Sequence, residues 1–491
     1  MSEAHIPCME IHIDRDQTQY NASTESWVTE VKDKLDYSHE MWQVSKKVCI
    51  YRVPEPIMNS NREAYVPLVV SFGPYHHNNN NKFSRMNQRK LVAVHRKLSR
   101  LNIDVSTLAA EIQKLESKIR EFYEEPIEMS GQALSLMLTL DACFILEFFK
   151  KKNNPDSFSL VFQLKSKAMF DAILNDIIKL ENQIPLFILI KILRLEGKTW
   201  DHATTELATM LSKCSVFRGF PFIVQWAVPV ELKLKEYMMD GRPPHHLLDL
   251  YRMMIKDHLT NSNAEKTHYC GGTSNSNNQC SVNIPPNCTP TPKAESPPNC
   301  IPTPKAESPP DCTPIPKAEL LHKAGIKFKT GQLRFAKRRF GNGTLYLPQI
   351  LIEDNTEIRL RNLMAYEDCQ SWSWPSEDTV ISHFVALFDD LIDSDKDVSV
   401  LIKAQVIQKY VGSDEEIARM FNRLCHQIGI DSIEKIEVVM KEVTDHYQSK
   451  WKVWMSQFKE EHCSKPWKFL SLVAAILILG MAIVQTVFSV K

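Results

Sequence analysis

Apolar residues recur along this chain at spacings that predict helices far more often than strands. Leu108, Ile112, Leu115, Ile119 and Phe122 step by four and three, one face of a helix. Residues 133–149, ALSLMLTLDACFILEFF, are almost wholly apolar but are interrupted by Asp141 and Glu147. Each acid would cost roughly 3 kcal/mol at the centre of a bilayer, so the run predicts a helix buried in protein. Lys150, Lys151 and Lys152 follow it and suit a helix C-terminus. Residues 170–193 are helical again, and Pro185 within ENQIPLFIL breaks the helix by removing a backbone donor. Further helices are predicted over 246–259, 362–370, 380–392, 398–411 and 414–428, with a long one over 433–458 carrying an aromatic stripe at Trp451, Trp454 and Phe458. Ser413 followed by Asp414, Glu415 and Glu416 marks a helix start. Residues 49–72, with Pro54, Pro56 and Pro67, read as extended and turn-rich, and short strands are expected near 326–353. The predicted fold class is mainly α: a composite helical domain with a small β element.

Two segments depart from this pattern. Residues 469–490, FLSLVAAILILGMAIVQTVFSV, contain no charge. As a helix they span roughly 33 Å, enough for a hydrocarbon core of about 30 Å. Lys465, Trp467 and Lys468 precede them and suit a headgroup anchor. The first residues lack the apolar stretch of a secretory signal. The expectation is a C-terminal transmembrane helix acting as a tail anchor, with the bulk of the chain in the cytosol. Sequons at Asn21, Asn287 and Asn342 matter only for a lumenal bulk and read as chance. The second segment is 261–317, rich in Asn, Ser and Pro. Three copies of a 12-residue repeat (PPNCTPTPKAES, PPNCIPTPKAES, PPDCTPIPKAEL) hold 12 of the 27 prolines. Such a segment cannot bury enough apolar surface to offset its ordering entropy, so a disordered spacer with polyproline character is predicted.

The predicted organisation is a polar segment 1–47, with a short amphipathic helix around Trp27, Val31, Leu35 and Trp42, a first folded part 48–260, the linker 261–317, a second folded part 318–465, and the span 469–490. The two folded parts are expected to build one domain interrupted by the linker. The chain carries 59 basic and 59 acidic residues. No basic excess or stripe is visible, so nucleic acid is not an expected partner. Twelve cysteines with no CxxC pair fit neither a disulfide scaffold nor a zinc site, and reduced thiols are expected.

Several ordered blocks carry a resemblance. CIYRVPEPIMNSNREAYVPLVVSFGPYHH, LTLDACFILEFF, LENQIPLFIL, HHLLDLYR, AGIKFK, NLMAYEDC, LFDDLIDSDKDVSVL, VGSDEEIARMFNRL and KPWKFLSL resemble, in order, the blocks of the plant family DUF247, also called UPF0481. They cover about 49–260 and 318–487. The motif residues are Tyr51, Arg52, Val53, Pro54, Gly73, Pro74, Tyr75, His76, His77, Asp141, Glu147, Glu181, Asn182, Gln183 and Pro185. Two positions depart from the family pattern: Asn78 stands where a glycine is usual, and Asn87 where a glutamate usually follows the methionine. The resemblance implies a membrane-held protein of largely unassigned biochemistry. Grass members are implicated in pollen-side self-incompatibility, which implies recognition of a protein partner.

No nucleotide-binding, metalloprotease or hydrolase motif is present, and no cofactor or metal is expected. The best chemical constellation joins His76 and His77 with Asp141, Glu147 and Glu181, a set able to serve as acid, base or metal ligands of a hydrolase-like enzyme. Adjacent histidines on extended chain point to opposite faces, however, and buried acids are normally paired. Arg52 or Arg62 can neutralise Asp141 or Glu181, and Asn182 and Gln183 can satisfy backbone groups that Pro185 frees. The structural reading takes 66–72 as an extended run entering the core, Gly73-Pro74 as a turn, Tyr75 as packed with its hydroxyl wet, and the histidines as fasteners of a corner. The asparagines after them read as a flexible exit to the surface. A non-enzymatic recognition protein is therefore the expected function.

Overall fold

The computed structural model describes residues 48–77, 80–151, 167–212, 234, 236–238, 243–260, 315–337, 343–370, 379–425, 434–449, 474, 477–482 and 485. In the first part the helices are α1 (Glu55–Ser60), α2 (Arg62–Tyr65), α3 (Asn80–Leu101), α4 (Val105–Gln113), α5 (Glu116–Arg120), α6 (Gly131–Lys151), α7 (Lys167–Ile177), α8 (Leu186–Arg194), α9 (Trp200–Ser212) and α10 (Leu247–Thr260). A 3-10 turn, Leu180–Asn182, separates α7 from α8. The second part adds α11 (Ala318–Lys323), β1 (Ile326–Thr330), β2 (Arg334–Lys337), β3 (Gly343–Leu347), β4 (Ile350–Ile352), α12 (Thr356–Gln370), α13 (Val380–Leu391), α14 (Asp395–Lys403), β5 (Ile407–Lys409), α15 (Asp414–Leu424) and α16 (Glu434–Gln448). β3 is central in a small sheet, parallel to β1 and antiparallel to β2, and β4 pairs in parallel with β5. The protein is mainly helical, as the apolar spacing predicts.

Several elements differ from their prediction. The Leu108–Phe122 face is divided between α4 and α5, because the chain turns at Lys114 and Leu115. Residues 398–411 are not one helix: α14 stops at Lys403, Gln405 adopts a positive φ of 60°, and the apolar residues beyond it pair as β5. The asparagine run is no simple exit, since Asn80 and Asn81 open the 22-residue helix α3. The insert ends earlier than 317, because Ile315 packs on the core and Lys317 donates to the Asp389 carbonyl (3.2 Å). By contrast, the break at Pro185 is observed, with Pro185 standing immediately before α8.

Helix α6 is the centre of the first part. Among the described residues it is the one helix long and apolar enough to cross a bilayer, and it is largely buried within the protein. Helix α3 lies along it in the same direction, as three successive pairs show. Lys90 meets Asp141, Lys97 lies near Cys143, and Arg100 meets Glu147. The acids that interrupt the apolar run of α6 are thus neutralised by cations of α3, as buried acids require.

One hydrophobic core runs through both parts, from Cys49 to Val443. Helix α12 crosses between them. Asn362 accepts from the Leu180 amide (2.9 Å) and donates to the Ala64 carbonyl (2.9 Å). Asn61 donates to Glu357 (3.2 Å), Asn175 to Asn355 (2.7 Å), and Arg252 stands 3.7 Å from Glu367. Residues 477–482 are helical with exposed Leu477, Ile478, Leu479 and Met481. The rest of the expected span lies outside the described residues, with its anchors Trp467 and Lys468, the 1–47 segment and most of the repeat insert.

Candidate functional site

The motif residues converge on the extended run 66–73. This run enters the core as predicted, yet it joins no sheet. Its backbone groups are satisfied by side chains instead, because a buried amide left unpaired would cost about 1–3 kcal/mol. Asp176 accepts from the amides of Leu68 (2.8 Å), Val69 (2.6 Å) and Val70 (3.0 Å). Asn182 accepts from Phe72 (2.6 Å) and donates to the carbonyls of Val70 (3.0 Å) and Asp176 (2.8 Å). Asp141 accepts from Gly73 (2.9 Å), and Lys90 donates to the Ser71 carbonyl (2.5 Å) and to Asp141 (2.5 Å). Lys179 donates to the Val66 carbonyl (2.6 Å). Gln183 donates to Ile177 (2.7 Å) and Lys179 (2.8 Å) and accepts from the Leu248 amide (3.2 Å). The LENQ stretch therefore ties off carbonyls freed where α7 ends, as the sequence predicts for Asn182 and Gln183.

The corner follows. Gly73 has φ +69°, and a Cβ there would lie 2.7 Å from the Gln183 carbonyl oxygen, so both backbone and space demand glycine. The His77 amide closes the turn on the Pro74 carbonyl (3.2 Å). Tyr75 is half-buried, and its hydroxyl donates to the Ile50 carbonyl (3.2 Å) and accepts from the Glu125 amide (3.2 Å). Burial pushes its pKa upward. The Arg52 guanidinium lies 4.0 Å over the Tyr75 ring. Glu181 receives the Val53 amide (2.9 Å), ion-pairs with Arg52 (3.3 Å) and lies 2.8 Å from His76 Nε2. Burial opposes the Glu181 carboxylate, but His76, Val53 and Arg52 outweigh it and hold its pKa low. Tyr51 donates to Val48 (2.8 Å), and Pro54 precedes α1.

The candidate constellation is brought together only in part: His76 meets Glu181, Asp141 lines the same cavity as His77, and Glu147 lies apart. His76 belongs to Glu181, Asp141 to Lys90 and Gly73, and Glu147 to Arg100. Arg52 neutralises Glu181 as expected, while Lys90, not an arginine, neutralises Asp141. Among the described residues no group of His, Cys, Asp and Glu is placed to hold a metal. Of the constellation, His77 has no ion pair among the described residues. It lines a cavity of about 280 Å³ between α3 and α6, with Ser84, Asn87, Gln88, Leu91, Met137 and Leu140 around it and the Lys90–Asp141 pair beneath.

A second polar cluster joins the two parts. The His246 ring stands 2.9 Å from the Cys49 carbonyl through Nε2, and its Nδ1 accepts from the Asp249 amide (3.2 Å). That pairing fixes the neutral ring with its proton on Nε2, and burial lowers its pKa to about 4. Burial opposes the Asp249 carboxylate, but hydrogen bonding to His245 and the charges around it bring its pKa down. Glu367, fully buried, accepts the amides of Ile381 (3.2 Å) and Ser382 (2.8 Å) at the start of α13, and burial raises its pKa.

A family model for DUF247, a plant protein of unknown function, matches residues 50–481. The chain belongs to the DUF247 family. Two Arabidopsis thaliana relatives, both named as UPF0481 proteins, are similar over nearly their whole length. One is 26% identical over 521 aligned residues, covering 95% of each chain. The other is 24% identical over 456, covering 90% of this chain and 86% of the relative. No solved structure matches. In this DUF247 chain the motif residues Arg52, Val53, Gly73, Asp141, Glu181, Asn182 and Gln183 form one continuous seam. Sequence reasoning missed Asp176, Lys90, Lys179, Asn362 and His246. The findable signal was Asp176, a charged residue just inside the end of an apolar helix and six positions before Asn182.

Proposed function

We propose that this DUF247 protein is a membrane-held, non-enzymatic recognition protein, carried by the apolar run 469–490 with its bulk on the cytosolic side. One observation supports recognition over catalysis: the candidate side chains are taken up by structural contacts, Glu181 by Arg52, the Val53 amide and His76, Asp141 by Lys90 and the Gly73 amide, and Glu147 by Arg100. A hydrolase-like centre needs at least two of them free and facing one reacting atom. Signalling of the self-incompatibility kind is one use of such a protein, with the folded part presenting a surface and the span holding it at the bilayer. The anchor rests on 22 uncharged residues, a length that suits a bilayer core.

Protease treatment of microsomes carrying the full chain tests the topology. Digestion of the folded part without detergent is expected, and full protection overturns the cytosolic orientation. Proximity labelling in native tissue, followed by reciprocal co-purification, tests recognition. A specific, stoichiometric partner is expected. Turnover of an ester, amide or phosphate substrate that is lost in His77→Ala would overturn the non-enzymatic reading.

A further inference from the structure

The neutral total charge conceals a strongly uneven distribution. Helix α3 carries Lys82, Arg85, Arg89, Lys90, Arg96, Lys97 and Arg100 and no acid, and residues 79–103 contain no Asp or Glu. Four of the seven cations are explained by the fold. Lys82 donates to the Pro67 carbonyl, Lys90 pairs with Asp141, Lys97 with Glu196, and Arg100 with Glu147. The other three, Arg85, Arg89 and Arg96, have no ion pair among the described residues. Their spacing of four and seven puts them on one face of the helix, along about 16 Å. Val92 lies in the same row, and Val92 and Leu91 beside it are exposed. Burial and the charge of Arg85 both depress the pKa of Arg89, so the like charges are not neutralised locally.

The cavity between α3 and α6 opens beside this row. Ser84 and Gln88 are neighbours of Arg85 and Arg89 in sequence, and both line it. The side chains of His77, Ser84, Asn87 and Gln88 have no hydrogen-bond partner among the described residues. Lys90 spends two of its three donors on Ser71 and Asp141. The site therefore pairs a row of fixed positive charge with a recess whose walls are apolar and whose rim can hydrogen-bond.

We propose that this face of α3 is the partner-recognition surface and that it takes an acidic polypeptide segment, whose carboxylates pair with Arg85, Arg89 and Arg96 while one of its side chains enters the cavity. It rests on, and deepens, the recognition reading. Arginine forks suit carboxylates in a bidentate geometry. A charged row beside a recess divides the work: charge steers the encounter and the filled pocket holds it. Two other anionic partners fit less well. A nucleic-acid strand would be expected to stack on several aromatic side chains, and no Phe, Tyr or Trp lines the cavity. A lipid headgroup layer would leave the recess and its hydrogen-bonding rim unfilled.

The test uses the full chain in non-ionic detergent micelles, so it does not depend on the anchor or its orientation. The probe is a fluorescein-labelled 12-residue peptide of glutamates around one central leucine, followed by fluorescence anisotropy. Saturable binding is expected, weakened at least about tenfold between about 50 mM and about 500 mM salt, where screening shortens to a few ångströms. The triple variant R85E/R89E/R96E should lose at least about tenfold in affinity, about 1.4 kcal/mol. Ser84→Trp, which fills the mouth, should remove the preference for leucine over glycine at the centre. If the charge reversal disturbs the melting transition, the triple Arg→Gln variant gives the same reading. Equal binding of a lysine-rich peptide, or unchanged affinity in the triple variant, overturns the proposal. So does tighter arginine-dependent binding of a 12-nucleotide RNA or of phosphatidylserine vesicles. A native partner captured equally by the triple variant overturns this surface and leaves the recognition reading standing.

Discussion

Asp176 caps no helix and pairs in no sheet, yet it holds three consecutive backbone amides of the run that enters the core at Val70. Replacing it with alanine leaves the buried Val70 amide, and the less buried amides of Leu68 and Val69, without this acceptor. We expect Asp176→Ala to lower stability by about 3 kcal/mol or more in urea titration, from the loss of charged acceptors. Gly73→Ala adds a methyl against the Gln183 carbonyl at positive φ, and a loss of about 1–3 kcal/mol is expected in the same assay. The buried His246 makes stability depend on pH. Its folded value, about 4, lies below the ordinary histidine value, so the unfolded chain binds the proton more readily. Its contribution is complete above about pH 6.5 and is lost as pH falls toward 4, by at most about 3 kcal/mol. His246→Gln should flatten that part of the stability profile. At this scale the sequence was half legible. Arg52–Glu181 and the roles of Asn182 and Gln183 follow from the rule that buried polar groups find partners. Lys90 and Asp176 do not, because their partners lie 51 and more than 100 residues away and no local pattern points to them.

Elements were most legible where a cap or a breaker coincided with the apolar period. Ser413 accepts from the Glu416 amide (3.1 Å) and Glu416 from the Ser413 amide (2.9 Å), a reciprocal box that starts α15 where the sequence placed it. Ser413→Ala should cost about 1 kcal/mol, read from the denaturation midpoint. The region 398–411 failed because its apolar spacing continues through Val406 and Ile407 after the backbone has turned at Gln405. A short apolar run beyond a helix is compatible with either period, and pairing with β4 decides it. Helix α3 was missed because its cations mask the apolar positions on its inner face: Phe83, Met86, Ala93 and Val94 are buried there. Helix α6 was legible through its two acids, which signalled protein rather than lipid surroundings.

The molecule as a whole is joined across the repeat insert, since the core and the Asn362 contacts involve both parts. Cleavage within 261–314 should leave the two parts eluting together in size-exclusion chromatography under native conditions and separating only in denaturant. Separate elution of the fragments without denaturant would contradict a shared core. Nothing in local sequence pattern reveals that sharing, because it depends on contacts as distant as 298 residues, from Ala64 to Asn362. The seam has a consequence for synthesis. Leu68 to Gly73 leave the ribosome about 100 residues before Asp176 and Asn182, and the Leu180 amide must wait for Asn362, 182 residues later. Until Asp176 and Asn182 emerge the nascent chain presents an apolar strand without those partners, and until Asn362 emerges the Leu180 amide and Ala64 carbonyl lack theirs, the kind of surface that chaperones hold. Maturation of the first part is therefore set by the arrival of α12, so translation arrested before residue 362 should leave it protease-sensitive however long it is given to fold.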